Sequence, residues 1–176
     1  MKRTGKETGA LSALMTYQEK VFLICLGFSR NSADAEDLAQ EVYLKALKNI
    51  ETLKDPKLSK IWLFRIARNV CLDFKKRYRR SRMSQHELVR SQMEPLNPEL
   101  QMIHSEQLRL LKGAIHQLPK KQREVFILKE YGDLSYEEIA ATLHIKEGTV
   151  MSRLNRARQT VMNRMRGENH DKREYG

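Results

Sequence analysis

Asp34, Asp37 and Glu41 stand three and four residues apart. On one helical face such carboxylates could gather round a magnesium ion and activate water against a phosphodiester. Acids near a helix N-terminus are also what the helix dipole favours, and no histidine or further acid is placed to complete a hydrolytic site. A different chemistry sits near the C-terminus. Thr149, Ser152, Arg153, Asn155 and Arg156, with Arg158 nearby, can hydrogen-bond DNA: arginine pairs with guanine, asparagine with adenine, and hydroxyls are permissive. Lys120, Lys121 and Arg123 could touch phosphates. A third set joins Trp62 and Asn69 to Asp73, Lys76 and Arg80. An aromatic, an amide and a basic face can hold nucleic acid backbone and stack or pair with unstacked bases; a solvated helix with Trp62 in its core fits the same pattern. Cys25 and Cys71 lie in apolar surroundings without metal spacing, as buried free thiols of a reducing compartment do. No residue set points to a catalytic centre, a metal or a cofactor.

Charge narrows the partners. The 176 residues carry 33 bases against 22 acids, a formal net charge of +11, which favours a polyanion such as nucleic acid. The charge is blocked. Asp34 to Glu41 holds acids and no base; Lys75 to Arg82 holds Lys75, Lys76, Arg77, Arg79, Arg80 and Arg82 and no acid. Blocks of opposite sign suit different partners on different surfaces. The apolar run Val21 to Phe28 is too short to cross a bilayer, which takes about 20 residues. The start, MKRTGKETGA, has no apolar signal-peptide core behind it. A cytoplasmic protein without membrane insertion is expected.

The elements that must position these residues are helical. Eight glycines and four prolines are few, and no stretch alternates apolar with polar. Periodicity predicts helices over Leu11–Gly27, Ala33–Ile50, Leu58–Arg80, Pro98–Gln117, Lys120–Tyr131, Tyr136–Leu143 and Glu147–Arg166. The polar, proline-bearing stretch 81–98 reads as a flexible linker. The fold class is therefore all-α, with two small helical domains over 11–80 and 99–166 and a frayed tail over 167–176.

The C-terminal domain carries a helix-turn-helix. Ser135-Tyr136-Glu137-Glu138 is a capping box, and the helix it opens bears Ile139, Ala140 and Leu143 on one face. His144-Ile145-Lys146 makes a short turn. In the next helix Val150, Leu154, Ala157 and Val161 form the inward stripe, which leaves the DNA-competent side chains outside. In the N-terminal domain Leu63, Ile66, Ala67, Val70 and Phe74 form one core stripe, and Leu38, Val42 and Ala46 another. Asp37, Gln40, Glu41 and Leu44 lie off that second stripe. Exposed acids round an apolar residue suit a partner with a basic surface; a solvated charged face is the plainer alternative.

Several motifs in order resemble bacterial sigma factors of the sigma-70 family. Asp34-Ala35-Glu36-Asp37-Leu38-Ala39-Gln40-Glu41-Val42-Tyr43-Leu44-Lys45-Ala46 is similar to their polymerase-core-binding segment. Trp62-Leu63-Phe64-Arg65-Ile66-Ala67-Arg68-Asn69, with Asp73 and the basic run, resembles their promoter-melting segment. Leu118 to Phe126, Leu134 to Ala140, Gly148-Thr149-Val150, Ser152-Arg153-Leu154 and Arg156-Ala157-Arg158 resemble their −35-reading domain. With only sigma domains 2 and 4, the order matches the extracytoplasmic-function (ECF) class. The resemblance implies a non-enzymatic factor that binds RNA polymerase core and directs initiation at promoters. It implies that Asp37, Gln40, Glu41 and Leu44 dock on the β′ coiled coil, and that domain 4 meets the β flap. Asn69 would pocket a flipped −10 base, with Trp62, Arg65, Lys75, Lys76, Arg77 and Arg80 near the melted strand. Lys120, Arg123, Thr149, Met151, Ser152, Arg153, Asn155, Arg156 and Arg158 would face the −35 element, and an anti-sigma factor is an expected partner. Met151 stands where the family usually has a base, Asn155 where an aromatic or histidine is common, and Lys146 in place of a serine-like cap. The loop Glu51–Ser59 lacks the common Phe-Arg-Gly-Asp pattern.

Overall fold

Apolar residues at helical spacing give helices throughout; among the described residues there is no strand. The computed structural model describes residues 9, 11–29, 31–84 and 98–171. The elements are α1 (Gln18–Phe28), α2 (Ser32–Lys48), two 3-10 turns (Ile50–Thr52 and Pro56–Leu58), α3 (Ser59–Ser84), α4 (Pro98–His116), α5 (Lys120–Glu130), α6 (Tyr136–Leu143) and α7 (Glu147–Asp171).

The first expected helix is interrupted. A short helical segment over 11–15 stops at a turn before α1. The Thr16 hydroxyl donates to the Ala13 carbonyl at 2.7 Å, and the Tyr17 N–H bonds Leu14 at 3.1 Å. The Tyr17 ring then meets Phe64 edge-on, with centroids 5.8 Å apart. That aromatic contact fixes where the chain bends. α2 starts at Ser32, where the Asn31 side chain accepts from the Asp34 N–H at 2.7 Å. Helix enters the span expected as linker from both ends, through Ser84 and from Pro98; residues 85–97 lie outside the described residues. α7 runs five residues beyond its expected end, and 172–176 also lie outside.

The predicted stripes supply the core, with Ile66 and Phe74 of the α3 stripe only partly buried against it. Leu38, Val42 and Ala46 of α2 are buried, as are Leu63, Ala67 and Val70 of α3. Phe64, fully buried beside them, contributes about 2–3 kcal/mol by leaving water. Cys25 and Cys71 are both buried and free, with sulfurs 3.8 Å apart between α1 and α3. The neighbouring Cys25 sulfur and burial hold the Cys71 thiol well above its ordinary range, which keeps it unreactive. In the C-terminal half Val150, Leu154, Ala157 and Val161 are buried as one stripe.

The helix-turn-helix forms as its local signals dictate. The Ser135 hydroxyl accepts from the Glu138 N–H at 3.1 Å, and Glu138 Oε2 accepts from the Ser135 N–H at 2.7 Å. α6 ends at His144, which adopts the left-handed conformation with φ 53° and lets the Ile145 N–H reach the Ala140 carbonyl at 3.1 Å.

The two halves pack against each other. α5 buries five consecutive residues, Glu124 to Leu128. One side faces its own domain; the other, through Ile127 and Tyr131, faces Gly27 of α1. Polar contacts surround this seam. Lys20 pairs with Asp133 at 2.9 Å, Lys60 with Glu138 at 2.9 Å, and Arg68 with Glu124 at 2.6 Å.

Replacing Ser135 with alanine is expected to cost about 1 kcal/mol in chemical denaturation, the usual loss for an N-cap hydroxyl. Glu138 also makes stability depend on pH. Burial raises its carboxyl, but the Lys60 ammonium and the Ser135 N–H outweigh that and hold it below its ordinary value of 4.5. The unfolded chain therefore binds more protons near and below that value. The contribution is complete above pH 4.5 and is lost as pH falls through the lower folded value. Denaturation midpoints measured down an acid series should fall less steeply in Glu138→Gln; an unchanged slope would contradict this.

Candidate nucleic-acid interface

α7 divides by its periodicity. The buried stripe turns Met151, Ser152, Asn155, Arg156 and Arg158 to the exposed side, with Thr149 and Arg153 half-buried at its margin. The Ser152 hydroxyl donates to the Thr149 carbonyl at 3.1 Å. Arg158 is held by Glu130, with Nε at 3.0 Å and Nη2 at 2.7 Å from one carboxylate oxygen. Glu130 raises its guanidinium above the ordinary value. Lys120 is exposed and lies 4.0 Å from Glu124. Arg123 is half-buried and donates to the His116 carbonyl at 2.6 Å, which ties the end of α4 to α5. Met151, Ser152, Asn155 and Arg156 thus form one exposed patch along the N-terminal half of α7.

α3 presents the second set. Trp62 is half-buried against the core, and its indole N–H donates to the Thr52 hydroxyl at 3.1 Å. Its ring packs inward, as the core reading of this residue expects, and its edge reaches the 3-10 turn. Asn69 is exposed and accepts from Arg68 Nη1 at 3.1 Å. Arg65 Nη2 reaches across to the Ala141 carbonyl at 2.9 Å, and its buried Nε has no partner. Further along, Lys75 lies 6.0 Å over the Phe28 ring, Lys76 pairs with Asp73 at 3.3 Å, and Arg77 pairs with Glu41 at 3.1 Å. Arg80 is exposed.

The face of α2 is acidic and apolar together. Asp37, Gln40 and Leu44 are exposed, Leu44 by 57%. Glu41 is half-buried, and the Lys45 ammonium beside it, aided by Arg77, holds its carboxyl below the ordinary range against the opposing effect of burial. Met15, Phe22, Tyr43, Leu44 and Leu47 line a groove of about 960 Å³ beside this face, with Glu19 and Glu36 at its rim. Asp34 bonds Asn31, and Glu41 is in ion pairs. Among the described residues no three His, Cys, Asp or Glu side chains are grouped to hold a metal, and no described helix is long and apolar enough to cross a membrane.

Sequence reasoning missed Arg68, Glu124 and Lys60, which join the halves. A signal was present. Val125-Phe126-Ile127-Leu128 is an apolar run too wide for one face of an amphipathic helix, so α5 needed two partners.

The sigma-70 region 2 family matches residues 14–81, and the sigma-70 region 4 family matches residues 108–161. The chain is 37% identical over 148 residues to the ECF RNA polymerase sigma factor SigE of Mycolicibacterium smegmatis, a match covering 82% of this chain and 57% of that protein. It is 32% identical over 160 residues to the ECF RNA polymerase sigma-E factor of Haemophilus influenzae, covering 85% and 83%. Its fold is similar to the sigma factor RpoE solved with the anti-sigma factor NepR from Bartonella quintana, with TM-score 0.69 and 27% identity over 92% of this chain and 97% of that one. CnrH, solved with the cytosolic domain of CnrY, shares the fold at TM-score 0.65 and 20% identity over 91% and 89%. The chain belongs to the ECF class of sigma-70 factors, which serve RNA polymerase in promoter-specific transcription initiation and are not enzymes.

Proposed function

We propose that this chain binds RNA polymerase core through α2, reads a −35 element with α7 and opens the −10 region with α3. Residues 11–80 act as sigma domain 2 and residues 99–166 as sigma domain 4, joined by the intervening segment. The observation that carries the reading is the division of surfaces within one chain. A helix-turn-helix with an exposed polar face lies in one half; an acidic face beside an apolar groove lies in the other.

Each step has a physical basis. Asp37 and Glu41 offer negative charge and Gln40 a hydrogen-bonding amide to a basic coiled coil of β′, and Leu44 offers exposed apolar area. Acidic rim and apolar centre give orientation and affinity respectively. α7 enters the major groove, where Arg156 and Asn155 reach base edges and Arg153, Arg158, Lys120 and Arg123 lie near phosphates. Met151 and Thr149 offer apolar contact to a thymine methyl. On α3, Asn69 receives a base flipped from the −10 strand, with Trp62 and Arg65 beside it and Lys75, Lys76, Arg77 and Arg80 along the strand. Capturing that base offsets the few kcal/mol of unstacking and makes opening depend on sequence. Domain 4 rests on the β flap. The chain works in the cytoplasm and takes an anti-sigma factor as partner; the reading is supported by its likeness to Bartonella quintana RpoE, which is in complex with the anti-sigma factor NepR.

The test separates the surfaces. Leu44→Glu puts a charge at an exposed site and should change stability by no more than about 0.5 kcal/mol. It should weaken binding to polymerase core about tenfold or more, which corresponds to about 1.4 kcal/mol, and leave duplex binding by domain 4 intact. Equal loss of both would remove the assignment. Arg156→Ala should cost about 1–3 kcal/mol at a single base pair of the site. A uniform loss across sequences would make Arg156 a phosphate contact instead.

A further inference from the structure

We infer that Glu130 is a positioning residue of the DNA-reading half. Its carboxylate fixes the Arg158 guanidinium at the edge of the α7 patch, as a preset anchor for one DNA phosphate, and that anchor sets the register of base reading. This rests on the reading of α7 proposed above.

Helix period places Arg158. It stands seven residues beyond Met151 and three beyond Asn155, so it shares their edge of α7. Its side chain turns back to the end of α5. Nε at 3.0 Å and Nη2 at 2.7 Å donate to the same oxygen of Glu130. A guanidinium carries five N–H groups in a rigid fork, so the fork keeps donors for an acceptor outside the chain. Both side chains stay within reach of solvent, Arg158 at 45% exposure and Glu130 at 38%. The Tyr136 phenol of α6 stands beside the same guanidinium. The Lys129 ammonium lies 5.6 Å over the Tyr136 ring and donates to the Leu134 carbonyl at 3.0 Å. The end of α5, the start of α6 and the middle of α7 thus meet at Arg158.

The other arginines of this face differ. Arg153 and Arg156 have no hydrogen bond or ion pair among the described residues. A free arginine gives up rotamer freedom when it binds; Arg158 has given it up on folding. Stability does not account for the arrangement, since an exposed pair contributes little. Charge does not account for it either, because an acid beside a DNA-reading helix repels every phosphate near it. Register does. Phosphate contacts fix orientation on the duplex, and base contacts specify. A fixed anchor at one edge of the patch holds Asn155 and Arg156 against the same base pairs each time. For a duplex without the site, Glu130 is only a repelling charge. For the site it is an aid, and that difference can be measured.

The probes are a duplex selected by the unaltered full-length chain from a randomised library, and a scrambled duplex of the same composition. Glu130→Ala should weaken binding to the selected duplex about fivefold, the factor that ordering one long side chain is worth. Its binding to the scrambled duplex should stay within about twofold or become tighter. Arg158→Lys keeps the charge and loses the fork, and should show the same split. The double variant Glu130→Ala/Arg158→Ala should lose no more on the selected duplex than Arg158→Ala alone, because Glu130 acts through Arg158. Tighter binding of Glu130→Ala to both duplexes would make Glu130 a plain repelling charge, and equal weakening on both would make it a structural prop. Either result, or additive losses in the double variant, would overturn the inference. Failure of the unaltered chain to select any duplex is a separate outcome, which removes the DNA reading of α7 and this inference with it.

Discussion

Helix α5 has to satisfy two cores at once, and the arrangement of the whole chain follows from that. Its apolar run, Val125 to Leu128, is too wide to be covered by one domain. One side completes the platform under the helix-turn-helix. The other meets α1 at a glycine and places Glu124 opposite Arg68. Exposing Ile127 and Tyr131 instead would cost apolar burial, at about 25 cal/mol per Å². The domain contact is therefore built into the same helix that supports the helix-turn-helix.

Charge is distributed to match. Several bases of α3 and α7 are restrained by acidic partners: Arg77 by Glu41 of α2, Arg158 by Glu130, Arg68 by Glu124. Exposed pairs of this kind are worth little in stability, but they set direction. They hold long side chains in one geometry. Arg68 and Glu124 differ from the others because their burial makes an unpaired partner costly.

Features set by neighbouring residues were legible in the sequence. The Ser135–Glu138 capping box, the four-residue stripe of α7 and the stripe of α2 depend on spacing alone, and each forms as expected. Features set by distant residues were not. The turn at Thr16 and Tyr17 depends on Phe64, and Arg68 meets Glu124 across 56 positions. Neither leaves a periodic trace. Site residues divide the same way. Exposure of Asn155 and Arg156 followed from the helix period, whereas the commitment of Arg65, Arg123 and Arg158 to internal acceptors required the folded chain. The tight approach at Gly27 was equally silent, since a glycine in a helix is ambiguous until its neighbour is known.

The most direct test is transcription in vitro with polymerase core, with and without this chain, on a library of genomic promoter fragments. The account predicts that the chain makes core start at a discrete set of sites sharing two separated elements, and that core alone does not use those sites. Initiation that the chain does not change at any fragment would contradict it.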